Sequence, residues 1–163
     1  MAPVIEGAAL VDRHRFAIVA ARVNEFITKR LVESAVNTLE RHGATGRQIT
    51  TVWVPGALEI PVTADRLARS HRYDAIICVG AVLRGETVHF EHVANEVSHG
   101  IAQVALSTGV PVLHGVVAAD DLEQAIQRSG AKASNRGRDA ALAAIELADL
   151  FDRLGKADVR RKA

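Results

Sequence analysis

The sequence predicts an α/β fold: a three-layer α-β-α sandwich around a four-stranded, mostly parallel sheet. Three observations carry this prediction. Short apolar runs rich in β-branched residues alternate four times with segments of helical periodicity. The runs are apolar throughout instead of alternating, as strands are when both faces are covered. Each helical segment also supplies the crossover that consecutive parallel strands require. The composition agrees, with 48% hydrophobic but only 4% aromatic residues, so the core is assembled from Ala, Val, Ile and Leu.

Arg15 to Ala21 reads as the first buried strand. Ile27, Leu31, Val32, Ala35, Val36 and Leu39 then recur at helical spacing, and Gly43 is placed to end that helix in a left-handed conformation. Gln48 to Val54 is the second strand; Pro55-Gly56 breaks it, and a short helix runs to about Arg69. Ala75 to Ala81 is the third strand, followed by a loop and a long helix marked by Val93, Val97, Ile101 and Val104 that stops at Gly109. Pro111 to Val117 is the fourth strand. Asp120 and Glu123 have the spacing of a capping box for a short helix to about Arg128. A glycine-bounded loop, Ser129 to Gly137, leads into a last helix with Ala141, Ala144, Ile145, Ala148 and Phe151 along one stripe. This succession predicts a flavodoxin-like strand order. Residues 1 to 13 fall outside the pattern and read as an arm suited to add a strand to a neighbouring subunit. The basic stretch from Lys156 to Lys162 reads as a frayed tail.

At 163 residues the chain fits one domain. A net charge of +1 offers no electrostatic footprint for nucleic acid or a membrane surface. No apolar run approaches the ~18 residues of a membrane span, and no signal peptide is visible. Cys78, alone, cannot form an internal disulfide; it reads as a buried small hydrophobe in a cytoplasmic protein.

In sheets of this kind ligands bind beyond the carboxyl ends of the strands. That rule selects the loops Ala21 to Asn24, Val54 to Glu59 and Val82 to His89. In the third, Gly80-x-x-x-x-Gly85-Glu86-Thr87 nearly has P-loop spacing, but Glu86 stands where a lysine would neutralise phosphates. A triphosphate site is thereby disfavoured. Backbone N–H groups at a helix N-terminus still suit a single phosphate, and a plain tight turn accounts for the same glycines. His89 opens the helix, and imidazole is the side chain best matched to proton transfer near neutrality; a loop histidine is equally compatible with a simple surface role.

His92, Glu96 and His99 share a helical face without a metal-binding pattern such as H-E-x-x-H, so they read as a polar stripe and no metal is expected. No G-x-S-x-G elbow is present to support a serine hydrolase. Arg128, Lys132 and Arg136 gather around the glycine-bounded loop, as a phosphate clamp or as a solvated turn. The Pro55-Gly56 bend brings backbone within reach of a ligand. Glu59 is placed either to accept hydrogen bonds from hydroxyls or simply to begin a helix. Trp53 reads as core or interface.

Together these segments resemble the 6,7-dimethyl-8-ribityllumazine synthase family over nearly the whole chain. The carrying residues are Ala21-Arg-Val-Asn-Glu-Phe-Ile-Thr28, Val54-Pro-Gly-Ala-Leu-Glu-Ile-Pro61, Gly80-Ala-Val-Leu-Arg-Gly-Glu-Thr-Val-His-Phe90 and Asn95-Glu96. Leu122-Glu-Gln-Ala-Ile-Gln-Arg128 and Gly130-Ala-Lys-Ala-Ser-Asn-Arg-Gly137 complete the set, in family order. The resemblance implies condensation of 5-amino-6-(D-ribitylamino)uracil with 3,4-dihydroxy-2-butanone 4-phosphate, without metal or organic cofactor. By position it implies Ala81, Val82 and Leu83 at the pyrimidine, and Asn24, Ala57, Leu58 and Glu59 at the ribityl chain. Gly85, Glu86, Thr87, Arg128 and Lys132 would hold the phosphate, and His89 would be the acid/base residue.

Val23 and His114 stand where the family often carries aromatics, so less π contact with the heterocycle is expected. The resemblance further implies a homo-oligomer with sites between subunits: a pentamer, and a hollow icosahedral shell of pentamers because the loop from Gly130 to Gly137 is short. Riboflavin synthase is the implied partner. Two alternatives stay open on the sequence: a catalytically weak flavin- or lumazine-binding shell protein, and an archaeal-type riboflavin synthase.

Overall fold

The computed structural model describes residues 1–130 and 134–162. Among them, β1 (Phe16–Ala21), β2 (Ile49–Val54), β3 (Ala75–Leu83) and β4 (Val112–Ala119) form one sheet. Its order is β2-β1-β3-β4, and every pairing is parallel, so the expected mostly parallel sheet is wholly so. The helices are α1 (Glu25–Arg41), α2 (Ile60–Arg69), α3 (His89–Thr108), α4 (Leu122–Arg128) and α5 (Arg136–Lys162).

Side-chain alternation along the strands divides the core into two layers. Phe16, Ile18, Ala20, Ile77 and Val79 face one way and meet Ile27, Leu31 and Leu39 of α1 and Ala141, Ala144, Ile145 and Ala148 of α5. Ala17, Val19, Ile76 and Cys78 face the other way and meet Ile60 and Ala64 of α2 and Val97 and Ile101 of α3. Both faces of β1 are buried at every position, which is why its sequence lacks polar alternation.

The helix ends follow local chemistry. Gly43 and Gly109 terminate α1 and α3 with φ of 104° and 71°, conformations that cost residues with a Cβ free energy. Three expectations are corrected. The strands β3 and β4 continue to Leu83 and Ala119, two residues beyond the expected ends, because their pairing persists to Leu83↔Ala119. The cap of α4 is Asp121, whose side chain accepts from the Gln124 N–H at 2.8 Å; Asp120 is engaged elsewhere. And α5 begins at Arg136, inside the expected loop, and extends to Lys162.

The arm before β1 lies along α5 of its own chain. A Cβ at Gly7 would overlap the Glu146 carbonyl oxygen. The Ala8 N–H donates to Asp149 Oδ2 at 2.7 Å, and Asp152 Oδ2 meets Arg13 Nη2 at 2.6 Å and His14 Nε2 at 3.1 Å.

Candidate active site

The chain leaves β1 towards β2 on one side and β3 towards β4 on the other. The crevice between the carboxyl ends of β1 and β3 is therefore the topological switch point. A cavity of about 320 Å³ opens there. Its walls come from all three loops that the strand-end rule selected. Val23 and Asn24 follow β1, and Gly56 to Glu59 follow β2. Ala81, Val82 and Leu83 end β3, and Gly85, Thr87, His89, Phe90 and Val93 close the remaining side.

Each wall has a local cause. Asn24 sits in the left-handed region at φ 59°, which Asn tolerates better than most residues. Its Nδ2 donates to the Ala81 carbonyl at 2.9 Å, tying the turn after β1 to the end of β3. The turns after β1 and β2 are joined by Arg22 N–H to Val54 O at 2.9 Å and Val23 N–H to Pro55 O at 3.3 Å. Gly80 admits close packing at the base, where a Cβ would lie 3.2 Å from Ala21 Cβ and 3.4 Å from Ile60 Cδ1. At Gly56 a Cβ would lie 2.9 Å from Glu59 Oε2, so the absent side chain is what lets that carboxylate fold over the bend.

The fourth wall is the segment between β3 and α3. From Arg84 to His89 every residue is exposed, and nothing lies within 4 Å of where a Gly85 Cβ would be. The N-cap of α3, Val88, has no capping side chain, and the first-turn amides of this 20-residue helix stand at the cavity mouth. Thr87 Oγ1 accepts from the His89 N–H at 3.3 Å. The positive end of the helix and the Thr87 hydroxyl suit an anionic group, and the apolar patch of Val23, Ala81, Val82, Leu83 and Phe90 suits a flat organic one.

Not every candidate converges. Glu86 is exposed on the loop and does not line the cavity. Arg128 is exposed on the last turn of α4, also outside it. His114 lies on β4 opposite Cys78, with its Nε2 at 2.9 Å from Ser98 Oγ of α3. Its side chain is exposed at the surface, yet partial desolvation holds its pKa below the ordinary histidine value, and the Arg136 charge adds to the effect. Lys132 lies outside the described residues. Among the described residues no group of three His, Cys, Asp or Glu side chains is placed to hold a metal ion. Nor is any helix there long and apolar enough to cross a membrane. Cys78 is fully buried, which pushes its thiol pKa far up and leaves it inert.

Gly56 lies in the wall, as the bend at Pro55-Gly56 led one to expect, whereas sequence reasoning missed two wall residues, Phe90 and Val93. The signal for both was present, since His89, Phe90 and Val93 follow the i, i+1, i+4 spacing of one helix face.

The model of the 6,7-dimethyl-8-ribityllumazine synthase family matches residues 13–152. The chain belongs to this family. A curated 6,7-dimethyl-8-ribityllumazine synthase from Desulfotalea psychrophila is 56% identical over 150 residues, covering 92% of this chain and 97% of that one. The family match spans all four strands and α1 to α4, and includes every candidate site residue.

Proposed function

We propose that this chain condenses 5-amino-6-(D-ribitylamino)uracil with 3,4-dihydroxy-2-butanone 4-phosphate. The products are 6,7-dimethyl-8-ribityllumazine, phosphate and water, in the penultimate step of riboflavin biosynthesis. The observation that carries this reading is convergence: the turns after β1 and β2, the end of β3 and the start of α3, in a chain matched along 13–152, meet around one cavity.

In this reading Ala81, Val82 and Leu83 form the apolar floor under the pyrimidine. Asn24, Glu59 and the backbone at Ala57 and Leu58 receive the ribityl hydroxyls. The phosphate sits against the amides of Gly85, Glu86 and Thr87 and the Thr87 hydroxyl. The substrate amine attacks the ketone and water leaves to give an imine. Loss of a proton and of phosphate leaves an enol that tautomerises to a ketone; the second amine attacks that carbonyl, and a second water leaves as the ring closes. Each step moves protons, and His89 at the cavity wall is the group that relays them. No strong nucleophile is required. Holding two substrates together supplies much of the acceleration, up to ~7–11 kcal/mol in ideal cases.

Among the described residues the anion site is cation-poor, because Arg128 lies outside its cavity. This supports sites completed between subunits of a pentamer, with Arg128, Lys132 and His114 supplied by the neighbour. The short loop before α5 supports further assembly into an icosahedral shell. The arm residues before Gly7, with Val4 79% exposed, are suited to reach a neighbouring sheet edge. A single buried, unpaired cysteine fits a reducing cytoplasm, and riboflavin synthase, which consumes the product, is the natural partner.

The test is stoichiometric. With both substrates present, lumazine and inorganic phosphate are expected to appear in equal amounts above the spontaneous rate, and the dephosphorylated four-carbon compound should give neither. Absence of both products with the true substrates would refute the reading.

A further inference from the structure

The segment from Gly85 to Phe90 carries the donors and the histidine of the cavity, yet it has no buried anchor between Leu83 and Phe90 and its helix has no capping side chain. What holds it is Arg84. Its N–H donates to the Ala119 carbonyl at 3.0 Å, continuing the β3–β4 ladder by one rung. Its Nε donates to Asp120 Oδ1 at 2.7 Å and its Nη1 to Glu91 Oε1 at 3.2 Å. The guanidinium also lies over the Phe90 ring, 4.6 Å from the centroid. Arg84 does not itself line the cavity.

We propose that Arg84 is a positioning residue of the condensation site: its guanidinium closes the segment from Gly85 to Phe90 into a ring. Arg84 stands immediately before that segment and Glu91 immediately after it, so the ion pair fixes both ends of the excursion. Asp120 anchors the ring to the end of β4, and stacking on Phe90 sets the orientation of a cavity wall. The loop amides and His89 are thereby held where the phosphate and the reacting carbonyl meet. Lysine cannot reproduce this, because a single ammonium has no planar fork to join two carboxylates while lying flat on a ring. The pairs are solvent-exposed, so their loss costs little global stability. The effect is therefore expected in substrate handling.

This inference rests on the proposed condensation, and two measurements separate the two. In steady-state kinetics, Arg84→Ala and Arg84→Lys should raise KM for the four-carbon phosphate on the order of tenfold, within the ~100-fold that a misplacement of about 1 Å costs. KM for the pyrimidine should stay within about twofold, because its floor is on β3. The control Arg69→Ala, which removes the exposed i,i+4 pair with Asp65 on α2, should match wild type. A merely structural defect would lower the active fraction and leave both KM values alone. That pattern, or unchanged kinetics, would overturn the proposal. In hydrogen exchange without substrate, amides 86–90 should exchange faster in both Arg84 variants than in wild type, and equal rates would overturn the clamp whatever the reaction. A wild type without turnover would sink the condensation reading alone.

Discussion

Gly137 is the second residue of α5 and packs directly on the backbone of α1. A Cβ built there would overlap the Leu31 carbonyl oxygen and stand 2.8 Å from Leu31 C and 3.0 Å from its Cα. These are main-chain atoms of a fully buried helical residue, so no side chain is free to swing away. Gly137→Ala therefore requires α5 and α1 to separate by roughly 1 Å, an overpacking of the kind that costs about 1–3 kcal/mol. Helix propensity alone predicts the opposite sign, since alanine exceeds glycine by about 1 kcal/mol in a helix interior. Gly155, in the same helix with nothing within 4 Å of its notional Cβ, isolates the propensity effect. Chemical denaturation at a fixed protein concentration should show Gly155→Ala stabilised by up to ~1 kcal/mol. Gly137→Ala should be destabilised by up to about 2 kcal/mol once the two effects combine. A Gly137→Ala protein as stable as Gly155→Ala would refute the close helix contact.

Two further predictions concern charge. His114 keeps solvent access, yet partial desolvation lowers its pKa, followed by the Arg136 charge, so the unfolded chain binds a proton more readily than the folded one. Stability should thus be full above about pH 6.5 and decline as pH falls through that value. His114→Phe should flatten this part of the curve measured by denaturation, and an unchanged slope would count against it. Asp149 is held below the usual carboxylate range by the Ala8 N–H and then by Arg153. Its contribution is present above about pH 3.9 and is lost as pH falls through the lowered value. Asp149→Asn should make the acid limb shallower and speed exchange of the Ala8 amide. Wild-type exchange at that amide would contradict the arm's attachment to α5.

Much of the fold was legible because the strands are buried on both faces and glycines mark two helix ends. The errors arose where tertiary contacts decide. Of the adjacent acids Asp120 and Asp121, only the second caps α4, because Arg84, thirty-six residues earlier, takes up the first. Gly137 reads as loop by propensity, yet it sits in α5 because close approach to Leu31 demands the missing Cβ. The ends of β3 and β4 ran long because each strand extends the other. In the site, the strand-end rule found three loops, while Phe90 and Val93 depended on where α3 begins. His114 and Arg128 were placed at the site by sequence resemblance, and the single chain leaves both outside the cavity.

Comparing lumazine formation by wild type and by His89→Ala, each corrected for the spontaneous reaction, tests the cavity as the seat of the condensation most directly. Wild type should run well above background, and His89→Ala should lose on the order of 100-fold in kcat, the low end for general acid/base catalysis. A residual rate above background should persist, because both substrates are still held together. Wild-type turnover in His89→Ala, or a wild type no faster than the spontaneous reaction, would contradict the assignment.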